Sequence, residues 1–90
     1  MKEYTYAYCW FDGLIEFGQA VPEGALAVAR APKGNRKLRT AVSTWAIPGD
    51  DGKTLLVPGM PTAKNPYYAM QAVKRFIDLV AAELPKEEQE

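Results

Sequence analysis

The sequence contains no histidine among its 90 residues. It therefore lacks the commonest general base and metal ligand of enzymes, which excludes Ser-His-Asp and Cys-His catalytic arrangements. Cys9 is the only cysteine, so no disulfide can form within the chain, and this favours a reducing compartment. A single thiol without histidine cannot build a usual zinc site. We expect Cys9 only to pack in the interior.

The chain also has no excess of charge of either sign, because 11 Lys and Arg residues balance 11 Asp and Glu residues. A protein that binds nucleic acid over its whole surface is usually basic, so any such role must depend on a local cluster. No apolar run reaches the ~20 residues that a membrane span needs. Lys2, Glu3 and Thr5 interrupt any signal peptide at the start. We therefore expect a cytoplasmic protein that does not contact membranes.

Aromatic residues, in contrast, are plentiful, and four of them alternate near the start of the chain: Tyr4, Tyr6, Tyr8 and Trp10. A period of two places them on one face of a strand. Asp12-Gly13 suits a type I′ turn into a second strand, which would bring Tyr8 opposite Phe17. We expect this aromatic face to be the core face, because so small a chain needs its large side chains inside. The alternative is that exposed rings stack on nucleic-acid bases.

The other face of this hairpin would carry smaller or polar residues: Thr5, Ala7, Cys9 and Glu16. The oligomeric state stays open at this point. If no helix covers the Thr5–Glu16 face, a dimer through that face or through the sheet edge is favoured.

The middle of the chain shows shorter patterns. Apolar residues predict a third strand over 25–29 and another over 54–57. Residues 35–47 are ambiguous, because their apolar residues fall at helical spacing and Asn35 is placed to cap a helix, whereas several of their residues are indifferent helix formers. We favour a short helix that passes into an extended segment. The alternative is a strand over 40–47 that pairs with 54–57.

The clearest helix is predicted over 66–84. Asn65 is a good N-cap, and Pro66 at the first helical position loses no needed hydrogen bond. An apolar stripe runs along this helix: Ala69, Val73, Phe76, Ile77, Val80 and Leu84. The predicted fold class is α+β, with a small, mainly antiparallel sheet that begins with a β-hairpin and packs against a long C-terminal helix. We expect residues 1–85 to form a single domain and residues 86–90 a flexible acidic tail.

Five of the basic residues lie close together in the sequence: Arg30, Lys33, Arg36, Lys37 and Arg39. Such a cluster is suited to hold phosphates or an acidic surface of a partner. The alternative is a solvated loop and helix face. Gly52-Lys53-Thr54, by comparison, is not a phosphate-binding loop, because Ile47 stands where that motif requires glycine. No cofactor, metal or catalytic residue is expected.

Three stretches carry a resemblance: Ala-Tyr-Cys-Trp-Phe-Asp-Gly-Leu-Ile-Glu-Phe-Gly at 7–18, Val-Pro-Glu-Gly-Ala-Leu at 21–26, and Asp-Gly-Lys-Thr-Leu-Leu-Val-Pro-Gly-Met-Pro at 51–61. Together they resemble small proteins of Mu-like phages and prophages described as host-nuclease inhibitors. The resemblance covers most of the chain, although the segment 43–50 departs from the pattern. It implies a protein in the host bacterial cytoplasm that binds and blocks a nuclease, and it assigns no residue a role.

These observations lead to three hypotheses about function. The first is a phage- or prophage-derived protein that inhibits a host nuclease or a nuclease-based defence complex without catalysis of its own. The second is a small nucleic-acid-binding module that uses the basic segment 30–39. The third, an enzyme that relies on Asp, Glu, Lys or Tyr, is the least favoured, because no carboxylate pair is placed recognisably.

Overall fold

A computed structural model describes residues 3–60 and 63–84 of the chain. The elements in chain order are β1 (Tyr4–Cys9), β2 (Leu14–Gly18), β3 (Leu26–Pro32), α1 (Lys37–Trp45), β4 (Ile47–Pro48), β5 (Leu55–Leu56) and α2 (Pro66–Glu83). The predicted tail, 86–90, lies outside the described residues. No helix in the described ranges is both long enough and apolar enough to cross a membrane.

The strands form one five-stranded sheet in the order β3-β1-β2-β5-β4, and each neighbouring pair is antiparallel. Both helices pack on the same face of this sheet, where α1 contacts β1 and β3, and α2 contacts β3 and α1. The buried cluster between the two layers joins residues of both helices to the sheet. The α+β class and the packing of the sheet against the C-terminal helix are confirmed.

The first hairpin forms as predicted, but its turn differs from the predicted type. Gly13 N–H donates to Trp10 C=O at 2.8 Å, and Trp10 N–H donates to Leu14 C=O at 2.9 Å. The loop therefore has three residues, with Gly13 in the left-handed region at φ 91°. A type I′ turn needs positive φ at both central residues, and Asp12 does not adopt it. Its carboxylate instead accepts from Leu14 N–H at 3.0 Å.

The additional loop residue shifts the strand register by one position. Tyr8 lies opposite Glu16 instead of Phe17, and Ala7 lies opposite Phe17. A shift of one residue changes which side chains share a face. Ile15 and Phe17 consequently lie on the face of Ala7 and Cys9, and not on the tyrosine face.

The expectation that the tyrosine face is the core face is wrong. Ala7 and Cys9 are both 0% exposed and belong to the buried cluster, whereas Tyr4 and Tyr6 are only half-buried. The two largest fully buried side chains of the described residues come from the helices, Leu38 from α1 and Phe76 from α2. Small residues on the sheet let those helices approach closely, because protein interiors are packed to a nearly constant density.

The ambiguous middle segment resolves as favoured, into a helix followed by a short strand. The Asn35 side chain accepts from Lys37 N–H at 2.8 Å and so satisfies one free donor of the first turn. After α1, β4 pairs with β5, with Ile47 opposite Leu56. The alternative strand over 40–47 does not form. Of its residues only Ile47, the last, belongs to a strand, which Pro48 completes.

The α2 helix begins and packs as its sequence predicts. Asn65 caps it by accepting from Tyr68 N–H at 3.1 Å, and Pro66 occupies its first position. Val73, Phe76 and Val80 are buried from the apolar stripe. These three side chains pack in the same buried cluster as the small residues of the sheet.

Candidate functional site

The sheet face opposite the helices carries a continuous aromatic row, and neither helix covers it within residues 3–60 and 63–84. We call this surface the open face and assign residues to it by strand register: Tyr4, Tyr6, Tyr8, Trp10, Leu14, Glu16, Arg30, Ile47 and Leu56. The rings lie along β1, an interior strand; Tyr4, Tyr6 and Trp10 are half-buried, and Tyr8 is 8% exposed. A row of partly accessible rings that no helix covers is the kind of apolar surface that marks binding sites. It is therefore the first candidate for a binding site.

Contacts between neighbours hold the side chains of the open face in position. The Tyr4 and Tyr6 rings lie 6.3 Å apart at 52°, and the Tyr8 and Trp10 rings lie 6.0 Å apart edge to face at 86°. The Arg30 guanidinium lies 4.3 Å from the centre of the Tyr4 ring. Each arrangement is of a type that stabilises aromatic pairs or cation–π pairs. The surface is consequently ordered before any partner arrives.

A hydrogen bond fixes the end of this row. Trp10 Nε1 donates to Glu16 Oε1 at 2.7 Å across the hairpin. A carboxylate acceptor makes this bond stronger than one between neutral groups. It ties the position of the indole to β2.

The Tyr8 ring packs against Gly18 of the neighbouring strand. A Cβ atom at this position would lie 3.4 Å from Cε2 and from the hydroxyl oxygen of Tyr8. The Tyr8 ring thus packs over β2, and its residue is only 8% exposed. Tyr8 is therefore the buried ring of the open face, whereas Tyr4, Tyr6 and Trp10 keep part of their surface accessible to solvent.

The predicted basic set does not form a single patch. Arg30 lies on the open face, opposite Tyr6. Lys33 follows β3 and pairs with Glu3 at 3.4 Å. Arg36 and Lys37 lie at the beginning of α1, in the helical layer. Arg30 lies on the open face because side chains alternate between the two faces along β3. After β3 the chain passes to the helical side of the sheet, which carries Arg36 and Lys37 away from Arg30.

Arg36 and Arg39 line one groove on the helical side of the sheet. Its volume is about 640 Å³, and Thr5 and Phe17 form part of its wall. The Arg39 guanidinium lies 4.4 Å from the centre of the Phe17 ring, which holds the charge at the margin of β2. Arg36 and Lys37 also line a smaller depression beside Glu83, at the end of α2.

The described residues contain no group of three or more Cys, Asp and Glu side chains that could hold a metal ion. Cys9 is buried, and burial, assisted by the charge of Asp12, raises the pKa of its thiol. A thiol in this state is a poor nucleophile.

The 49–54 segment is a hydrogen-bonded turn. Gly49 N–H donates to Thr54 C=O at 2.7 Å. Asp51 accepts from Lys53 N–H at 2.9 Å and from Thr54 N–H at 2.7 Å, and the Thr54 hydroxyl also donates to its carboxylate. These hydrogen bonds, led by that of the Thr54 side chain, lower the pKa of Asp51 to about 2. The Gly52-Lys53-Thr54 sequence is therefore part of a turn.

The period of two allows the aromatic row to be either core or surface, and the core interpretation does not bring Trp10, Glu16 and Arg30 together as one site. The other face of β1 carries the signal that helices cover it and leave the aromatic row open. Ala7 and Cys9 are small and apolar, which suits a sheet face that helices cover.

Comparisons of the chain with family models, curated proteins and solved structures give no match.

Proposed function

We propose that this chain is a binding protein, derived from a phage or prophage, that inhibits a host nuclease or a nuclease-based defence complex in the host bacterial cytoplasm without catalysis of its own. The observation that carries the binding role is the open face, an ordered and partly accessible aromatic surface that neither helix covers. The nuclease as partner is supported by the resemblance of residues 7–18, 21–26 and 51–61 to phage proteins of that description.

The chemistry of the open face suits a protein partner better than a nucleic acid. Tyrosine, tryptophan and arginine are the residues that most often carry binding energy at protein interfaces. Arg30 and Glu16 give the surface both signs of charge, and a phosphate backbone would repel the carboxylate. Base stacking needs free ring faces, whereas Arg30 covers one side of Tyr4 and the Tyr8 ring packs over β2.

The test measures nuclease activity directly. The purified chain is immobilised, a bacterial lysate is passed over it, and degradation of linear double-stranded DNA by the flow-through is measured. We expect the wild-type chain to deplete a nuclease activity and the free chain to inhibit the same activity in solution. Unchanged degradation in both experiments would contradict the proposal.

Variants locate the binding surface. Arg30→Glu and Tyr6→Glu change exposed or half-buried positions of the open face, and we expect either to weaken inhibition at least tenfold, because interface anchors of these types commonly contribute more than about 1.4 kcal/mol. Lys74→Glu is the matched control, since Lys74 is exposed on α2. If all three variants inhibit like the wild type, the open face is not the contact surface.

The second candidate function is a nucleic-acid-binding module that uses part of the segment 30–39. The observation that favours it is the basic start of α1. Arg36, Lys37 and Arg39 are exposed, α1 contains no acidic residue, and no ion pair joins these three side chains to a carboxylate in the described ranges. Binding in a gel should then weaken steeply with salt and disappear in the double variant Arg36→Glu, Arg39→Glu. A gel without any salt-sensitive shift would dismiss this function.

A further inference from the structure

The strand β2 extends beyond the strand that pairs with it. Its pairing with β5 comprises Leu14↔Leu56 and Ile15↔Leu55, whereas β2 itself continues to Gly18. Three residues, about 10 Å of extended chain, therefore have a strand on only one side. We propose that this edge, Glu16–Gly18, binds an extended acidic segment of a partner protein as an added β-strand. The edge shares Glu16 with the open face, but Phe17 and the cations beside it, Arg39 and Lys53, lie outside that face.

The hydrogen-bonding pattern shows which peptide groups are available at this edge. Trp10 N–H donates to Leu14 C=O within the hairpin, and antiparallel pairs alternate between those that exchange hydrogen bonds and those that do not. Val57 N–H donates to Gly13 C=O on the β5 side, so Gly13, Ile15 and Phe17 direct their backbone groups to that side. In the described part of the chain no strand lies opposite Phe17. Its N–H and C=O are therefore placed to pair with an incoming strand.

The space beside this edge fits an added strand. The groove of about 640 Å³ and a second depression of about 350 Å³ meet at Phe17 and Arg39, since both residues line both of them. Side chains of an added strand would alternate between the two faces of the sheet. Those directed to the helical side would enter the groove beside Arg36 and Arg39.

Charge selects the kind of segment. Lys53, Arg39 and Glu16 line the depression beside the β2 edge. The Glu16 carboxylate accepts from Trp10 Nε1 on the open face, so the two cations leave the edge with a net positive charge. Packing on Phe17 positions the Arg39 guanidinium there. Carboxylates of an acidic strand would meet these two cations, and an arginine can bind a carboxylate through two parallel hydrogen bonds. A second copy of this chain, by contrast, would bring its own Arg39 and Lys53 to the same edge. Like charges placed opposite each other are unfavourable, so the edge favours an acidic partner over self-association.

The experiment uses the full chain and a defined probe. The probe is an acetylated, amidated heptapeptide of alternating Glu and Val, titrated to about 1 mM into isotopically labelled protein, a range that detects weak binding. We expect amide shifts centred on Phe17, Gly18 and Lys53. Two control peptides have either Lys in place of Glu or N-methyl groups on alternate amides, and we expect each to bind at least tenfold more weakly. The absence of shifts at 1 mM, or equal binding by the N-methylated peptide, would overturn the proposal.

Protein variants separate this edge from the open face. Arg39→Glu and, independently, Lys53→Glu should each weaken peptide binding at least fivefold, whereas Lys74→Glu and Arg30→Glu should leave it unchanged. Lys53 is exposed in a turn, so its variant remains informative if Arg39→Glu does not fold. Shifts that map to Tyr4 and Tyr6, or a loss of binding in Arg30→Glu alone, would assign the peptide to the open face and overturn the edge site.

Discussion

Replacing Ala7 with glutamate should remove a large part of the stability of the domain at neutral pH, whereas the same change at its neighbour Tyr6 should remove much less. Ala7 is 0% exposed on β1, an interior strand of the sheet. A carboxyl group buried there stays neutral at pH 7 only if its pKa rises from about 4.3 to above 7, which costs about 4 kcal/mol. Overpacking adds about 1–3 kcal/mol. The sum, about 5–7 kcal/mol, is comparable to the whole stability of about 5–13 kcal/mol for a chain of this length.

Tyr6→Glu has a much smaller expected cost. Its half-buried ring contributes about 1 kcal/mol of apolar burial and about 1 kcal/mol through its contact with Tyr4. The new carboxylate would lie opposite Arg30, which offsets part of that loss. Far-UV circular dichroism in urea measures both variants. An unfolded Tyr6→Glu beside a stable Ala7→Glu would refute the assignment of the two faces.

Three further outcomes are expected from single sites. Phe76→Ala should lower the free energy of unfolding by about 3–5 kcal/mol in urea titrations, because Phe76 is the largest fully buried side chain. Asn65→Ala removes the α2 cap and should cost about 1 kcal/mol, seen as a Tm lowered by about 4–8 °C. The Asp51 carboxyl should titrate near pH 2 by carbon NMR. The folded pKa of Asp51 lies below the ordinary 3.8. The stability that its hydrogen bonds give is therefore complete above pH 3.8 and is lost as pH falls through about 2. Asp51→Asn should not show this loss.

The sequence contains enough information for the elements but not for the face of the first strand. Asn65-Pro66 and the apolar period of α2 depend on local chemistry, so they predict the helix well. Asp12-Gly13 predicts a hairpin, yet it suits both a two-residue turn and a three-residue loop with glycine in the left-handed position. The choice between them moves the register by one residue. The two-residue turn would place Phe11 in the strand opposite Leu14, whereas the observed loop contains Phe11 and leaves it 71% exposed.

The candidate surfaces were predictable only in part, because they depend on long-range packing. Both faces of β1 are apolar, so alternation identifies two faces without saying which one the helices cover. The basic set was selected by closeness in sequence, and three-dimensional structure places Arg30 on the opposite side of the sheet from Arg39. The unpaired edge of β2 depends on β5 having only two residues, and no local pattern sets that length.

The buried position of Cys9 has a practical consequence. As the single thiol, enclosed between the sheet and the helical layer, it can react with an external disulfide reagent only when the two layers separate. The rate of its modification, measured without denaturant, therefore reports how often the folded molecule opens. Binding at the open face or at the β2 edge would slow that reaction in proportion to its affinity, and the unmodified chain thus carries its own probe for both sites.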